Sequence, residues 1–99
     1  MTLQQLRYAV AIAKCGSMSR TARQLYVSQP SLSAAIKELE TELGITIFER
    51  TGRGIRLSSD GAGFIRGAVS LLGQAEELKA RFGAYSPGAG RSRARMAFL

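Results

Sequence analysis

The 99-residue chain has no histidine, no tryptophan, a single cysteine and only two prolines. With Cys15 alone and no His, neither a disulfide framework nor a zinc site of the usual ligand spacing can be assembled. The same lack removes the ordinary base of nucleophilic catalysis, so a Ser or Cys nucleophile would have to recruit Lys or a carboxylate. Its seven carboxylates lie mostly on helical faces that read as solvated. No catalytic constellation emerges, and the chain reads as a non-enzyme that needs no metal, no cofactor and no small-molecule ligand. No apolar run approaches the roughly 20 residues that span a bilayer, and the N-terminus lacks a signal-peptide pattern. The reading is a cytoplasmic chain without a membrane partner. Cys15, with only Lys14 as a cationic neighbour in sequence, reads as a small half-buried residue at a helix end rather than a redox sensor.

Positive charge is what the chain has in excess. The formal charge is +7, and it is unevenly spread. Residues 1–58 hold eight cations and four anions, residues 59–86 three of each, and residues 87–99 three Arg. The first part is therefore +4, the middle neutral and the tail +3. A basic excess on one small folded unit points to a polyanionic partner, and nucleic acid fits better than a membrane surface.

Apolar spacing divides the chain into elements. Leu3, Leu6, Val10 and Ala13, with Ile12 beside them, predict a first helix opened by Thr2 and stopped by Gly16. Ser17 or Ser19 caps a short second helix that turns Ala22 and Leu25 inward, and Val27 closes the joint to a third. That third helix is the most informative stretch. Ser28 caps it, Pro30 occupies its first turn where a missing N–H does no harm, and Leu32, Ile36, Leu39 and Leu43 form its inner stripe. Its outer face begins with Gln29, Ser31 and Ser33 and continues to Lys37, which is the make-up of a helix meant for a DNA major groove. Gly44 ends it.

From Ile45 the period shortens to two. Ile45, Ile47 and Phe48, a turn at Thr51-Gly52-Arg53-Gly54, and then Ile55 and Leu57 predict a β-hairpin, with Arg50, Arg53 and Arg56 on or beside it. A hairpin appended to a helix-turn-helix is a wing. Ser58 or Ser59 then caps a long fourth helix, near whose positive end Asp60 is favourable. Phe64, Ala68, Leu71, Ala75, Leu78 and Phe82 make a heptad-like seam about 28 Å long, widened by Ile65 and Leu72. That is too long for so small a domain to cover, so the seam is expected to pack on a second chain; the alternative is that it folds back on the first helix. Gly63, Gly67 and Gly73 weaken this helix in isolation. Residues 85–99 lose periodicity and read as a flexible basic tail or truncated linker.

Leu-Gln-Gln-Leu-Arg-Tyr at 3–8, Val-Ser-Gln-Pro-Ser-Leu-Ser at 27–33, Ile-Lys-Glu-Leu-Glu at 36–40, Glu-Leu-Gly at 42–44 and Phe-Glu-Arg-Thr-Gly-Arg-Gly at 48–54 occur in one order and spacing. Together they resemble the N-terminal DNA-binding domain of LysR-type bacterial transcriptional regulators. The resemblance implies a mainly α, winged helix-turn-helix fold at 1–58, a linker and dimerisation helix at 59–84, and a tail at 85–99. It further implies sequence-specific binding of double-stranded DNA at an inverted repeat by a homodimer, with tetramers possible in a full-length protein. Gln29, Pro30, Ser31, Ser33 and Arg53 fall on base-contacting positions, with Arg53 at the wing tip. Ser19, Arg20, Lys37, Arg50 and Arg56 are the backbone-contacting candidates, and Phe64, Ala68, Leu71, Ala75, Leu78 and Phe82 the dimer interface. Ala34 and Ala35 depart from the family pattern, which often has Arg after the Ser of the motif; a guanine contact from position 34 is therefore absent, and a thymine methyl is the better match. The resemblance also implies an effector domain, of which these 99 residues show no sign, so the chain reads as a fragment or truncated form. Two other readings stay open: an interaction module forming mixed dimers with a full-length regulator, and a standalone repressor that needs no effector.

Overall fold

Four caps that the sequence advertises set the frame of the computed structural model, which describes residues 1–83. Thr2 opens α1 (Leu3–Cys15) through a reciprocal capping box with Gln5, and Gly16 closes it in the left-handed conformation, φ 78°. Ser17 opens α2 (Met18–Leu25), and Ser28 opens α3 (Gln29–Leu43), which ends at Gly44 with φ 72°. The strands β1 (Phe48–Thr51) and β2 (Gly54–Leu57) follow, and Ser58 opens α4 (Ser59–Phe82). The strands pair antiparallel in the register Phe48↔Leu57, Glu49↔Arg56, Arg50↔Ile55 and Thr51↔Gly54, which leaves Gly52 and Arg53 as the loop. This is a winged helix-turn-helix with a long appended helix. The tail expected at 85–99, and the end of the helix expected to reach 84, lie outside the described residues.

Ala9, Ile12, Met18, Ala22, Leu32, Ile36, Leu39 and Ile47 form one buried cluster, with Leu25, Val27, Leu43, Phe48, Ile55, Leu57, Phe64 and Ile65 packed around it. Every element through α4's first turns contributes to it. The core thus joins the helix-turn-helix and the wing into one unit, because neither could bury its apolar face alone.

Three expectations need correcting. Of the apolar line read for α1, Leu6 and the flanking Ile12 are buried, but Gln5 and Ala9 complete the buried face, Val10 and Ala13 are half-buried and Leu3 is 42% exposed. Packing on both α3 and α4 rotates the inward stripe, and Gln5 can be buried because its amide donates to Glu38 (3.1 Å) and its carbonyl accepts from the Thr2 N–H (3.0 Å). The first strand also begins at Phe48, later than the Ile45–Ile47 alternation suggested. The Glu40 carboxylate accepts from the N–H groups of Ile47 (2.7 Å) and Phe48 (3.2 Å), and so occupies donors that a longer strand would use. Ile47 is fully buried all the same. Finally, the seam of α4 is divided along its length. Phe64 packs on the core and Ala68 is buried beside Met1 and Leu6, so these two are covered by their own chain.

The root of α4 is fastened closely. The Ser58 N–H donates to the Ile47 carbonyl (2.9 Å), its hydroxyl donates to the Thr46 carbonyl, and a Cβ on Gly61 would collide with the Ile47 backbone. Only glycine fits there. Beyond Ala68, which lies against α1, most of α4 is exposed among the described residues: a helix of 24 residues is about 36 Å long, and the described molecule measures 52 × 25 × 19 Å. No helix among the described residues is long and apolar enough to cross a membrane.

Candidate nucleic-acid interface

Two clefts beside α3 adjoin, and they share Met18, Arg50 and Ile55. One, of about 550 Å³, lies between the start of α2, the start of α3 and the wing; Ser19, Arg20, Gln29, Arg50 and Arg53 line it. The other, of about 510 Å³, lies between α3 and β1, and Ser33, Ala34, Lys37 and Arg50 line it. They form one trench with Arg50 at its middle. Four cations face it, and its one carboxylate, Glu40, is engaged by the Ile47 and Phe48 amides. Such a trench attracts a polyanionic strand.

Local rules explain how the side chains reach it. Ser28 satisfies the Ser31 N–H (3.2 Å), so α3 starts at Gln29 with Gln29, Pro30 and Ser31 exposed in its first turn. The Ser31 hydroxyl accepts from Ser28 (2.9 Å) and keeps its own proton for another partner. Ser33 is half-buried and Lys37 exposed, one turn apart on the trench side. In the loop, the Thr51 hydroxyl donates to the Gly54 carbonyl (3.2 Å) and accepts from the Arg53 N–H (3.2 Å), which holds the tip closed with the Arg53 side chain outward.

The hairpin separates two arginines that the sequence could not tell apart. Arg50 pairs across the ladder with Ile55, and both line the trench. Arg56 pairs with Glu49 on the opposite face, where its Nε donates to the carboxylate at 3.2 Å. Arg56 therefore stands apart from the trench with its charge compensated. Pro30 and Ser31 also lie beyond the trench walls, at the free end of α3.

Cys15 is the half-buried residue at a helix end that the sequence suggests, but Lys14 is not its only cationic neighbour. The fold brings it against Thr21, Ser17 and Arg20, and the thiol is held below its usual range chiefly by the Thr21 hydroxyl, with partial burial opposing and Ser17 and Arg20 assisting. Thr21 has one hydroxyl proton, which also reaches the Ser17 carbonyl (2.7 Å); it must leave that carbonyl to serve a thiolate.

On α4 the remaining seam residues are largely uncovered among the described residues. Leu71 is exposed, Ala75 half-buried, Leu78 59% exposed and Phe82 69% exposed, with the Arg81 guanidinium 5.9 Å from the Phe82 ring centre. A shallow apolar groove of about 200 Å³ lies at the near end of this strip, between α1 and α4. Two contributors carry no periodicity signal. Glu40 and Gly61 act through tertiary contacts with Ile47, and no spacing rule exposes either.

Comparison with known proteins agrees with this geometry. The family described as bacterial regulatory helix-turn-helix protein, lysR family, matches residues 3–62. The HTH-type transcriptional regulator ClcR of Pseudomonas putida is 41% identical over 88 residues, which are 89% of this chain and 30% of that protein. The Hca operon transcriptional activator HcaR of Escherichia coli is 41% identical over 81 residues, 82% of this chain and 27% of that one. The chain thus spans about 30% of the length of the relatives it matches. Among solved structures, a BenM DBD/catB site 1 DNA complex aligns with TM-score 0.77 and 36% identity over 81% of this chain and 86% of that one. A CbnR DBD–DNA complex aligns with TM-score 0.78 and 37% identity over 82% and 93%.

Proposed function

Because the chain belongs to the LysR family of bacterial regulatory helix-turn-helix proteins, we propose that it is the part of a transcription regulator that binds double-stranded DNA sequence-specifically, in the cytoplasm and as a dimer on an inverted repeat. The single observation that carries this reading is the cationic trench. It is walled by α3 on one side and the wing on the other, with Gln29 exposed at its mouth. α3 enters the major groove, where the Gln29 amide pairs bidentately with adenine and Ser33 adds a single bond. A backbone strand lies in the trench against Arg20, Lys37 and Arg50, and Arg53 reaches the adjacent minor groove. Pro30 and Ser31 flank the contact at the helix tip; Ser19 presents a hydroxyl to phosphate. Arg56, paired with Glu49, contributes least.

The uncovered strip Leu71–Phe82 supports pairing of α4 with α4 of a second subunit, with Phe64 and Ala68 forming the floor on which the partner rests. The same strip suits a mixed dimer with a full-length regulator. Selection from random duplexes at fixed salt, with solution mass measured in parallel, tests the proposal. A palindromic enriched site and a dimeric mass are expected. Equal affinity for all duplexes would refute specificity, and a mass that is dimeric only with a full-length relative present would favour the mixed dimer.

A further inference from the structure

Tyr26 is the one residue other than glycine with positive φ among the described residues (φ 59°, ψ 41°). The turn between α2 and α3 imposes this shape: the Tyr26 N–H reaches back to the Ala22 and Arg23 carbonyls, and the Val27 N–H donates to the Ala22 carbonyl (3.0 Å). Gly16 and Gly44 fill the corresponding positions after α1 and α3, so a bulky ring at the third is unfavourable for the backbone. The ring offers the fold nothing in return. Its side chain is 95% exposed and makes no hydrogen bond among the described residues, whereas Tyr8 packs on the core and its hydroxyl accepts from Gln4. A strained, unburied aromatic is a feature that binding, rather than folding, can account for.

We infer that Tyr26 is a DNA-backbone contact, its phenol donating to a phosphate oxygen while its ring lies along the adjoining sugar; this inference rests on the DNA-binding reading. Tyr26 lies three residues before Gln29, at the end of α2 opposite to Ser19 and Arg20. The eight residues of α2 span about 12 Å, close to the width of a major groove, so in the proposed complex its two ends are far enough apart to meet opposite walls. The trench cations hold one wall, and the phenol, beside the exposed Arg23, meets the other. The contact is neutral and sequence-independent.

The test compares the full chain with Tyr26→Asn and Tyr26→Phe, on the duplex enriched by the wild type and on an unselected pool of duplexes of about 30 base pairs. Tyr26→Asn is expected to melt about 3 °C higher, because Asn tolerates the left-handed turn, yet to bind both probes roughly three- to tenfold more weakly. Tyr26→Phe is expected to lose most of the same affinity. In both, the slope of log Kd against log salt stays at the wild-type value, while Arg50→Ala flattens it by about one. Unchanged affinity of Tyr26→Asn overturns the inference, as does a loss confined to the selected duplex or accompanied by a lower melting temperature. A changed solution mass with intact DNA binding also overturns it, in favour of a protein contact. If the wild type binds no duplex, the DNA-binding reading itself fails, and the inference with it.

Discussion

The winged-helix unit and the outer part of α4 have comparable apolar content, yet the first buries it and the second displays it. Within the unit Leu32, Leu39 and Ile47 are wholly enclosed by neighbours from three helices and the hairpin, while Leu78 and Phe82 on the same chain face outward. Periodicity alone cannot distinguish these cases, because the seam of α4 is as regular as the stripe of α3. What separates them is the supply of partner surface. The unit supplies that surface from its own elements; the outer helix has no such cover among the described residues.

Substitutions in the two regions sharpen this contrast. Leu39→Ala, which empties a fully enclosed site, should destabilise the chain by about 2–5 kcal/mol in denaturant unfolding, and a loss below 1 kcal/mol would mean that the core is less integrated than its burial suggests. Gly61→Ala and Gly67→Ala should then diverge in sign. The first drives a methyl against the Ile47 backbone at a destabilisation of about 1–3 kcal/mol, and the second, with open space around it, stabilises α4 by up to ~1 kcal/mol. Equal effects at both positions would show that helix propensity, not close approach, governs this helix.

Paired changes Leu78→Asp and Phe82→Asp should leave unfolding of the winged unit within about 0.5 kcal/mol while reducing the solution mass to that of a monomer. A dimeric mass after both changes would place the subunit contact elsewhere. The smallest effect concerns Cys15. Because its thiol is held low, the rate of alkylation should level off at a lower pH than for an ordinary thiol, and Thr21→Val should move that midpoint upward. An unmoved midpoint would assign the shift to Arg20 and Ser17 instead.

Much of the fold was legible because it follows from local rules. The caps at Thr2, Ser28 and Ser58, the glycine stops at 16 and 44, and the stripe of α3 each depend on residues within one or two turns. Errors arose where two elements compete for one. α1 packs on α2, α3 and α4, so its inner face is not its most hydrophobic line, and the Ile45–Ile47 alternation belongs to a connector whose last amide a glutamate from α3 has taken. In the candidate site the exposed start of α3 and the basic wing could be anticipated. The separation of Arg50 from Arg56 required the strand register, which a four-residue strand does not reveal by pattern. Tyr26 and Gly61 were invisible for a related reason: one is informative through a dihedral angle, the other through a contact with the distant residue Ile47.

The missing side chain at Gly61 has a mechanical consequence. With Ser58 tied to the Thr46 and Ile47 carbonyls and Gly61 pressed on Ile47, there is no soft joint between the long helix and the connector that carries the basic loop. A tilt of the long helix is therefore passed to that loop, and in the proposed dimer the angle between the two rods sets how far apart the two basic loops stand.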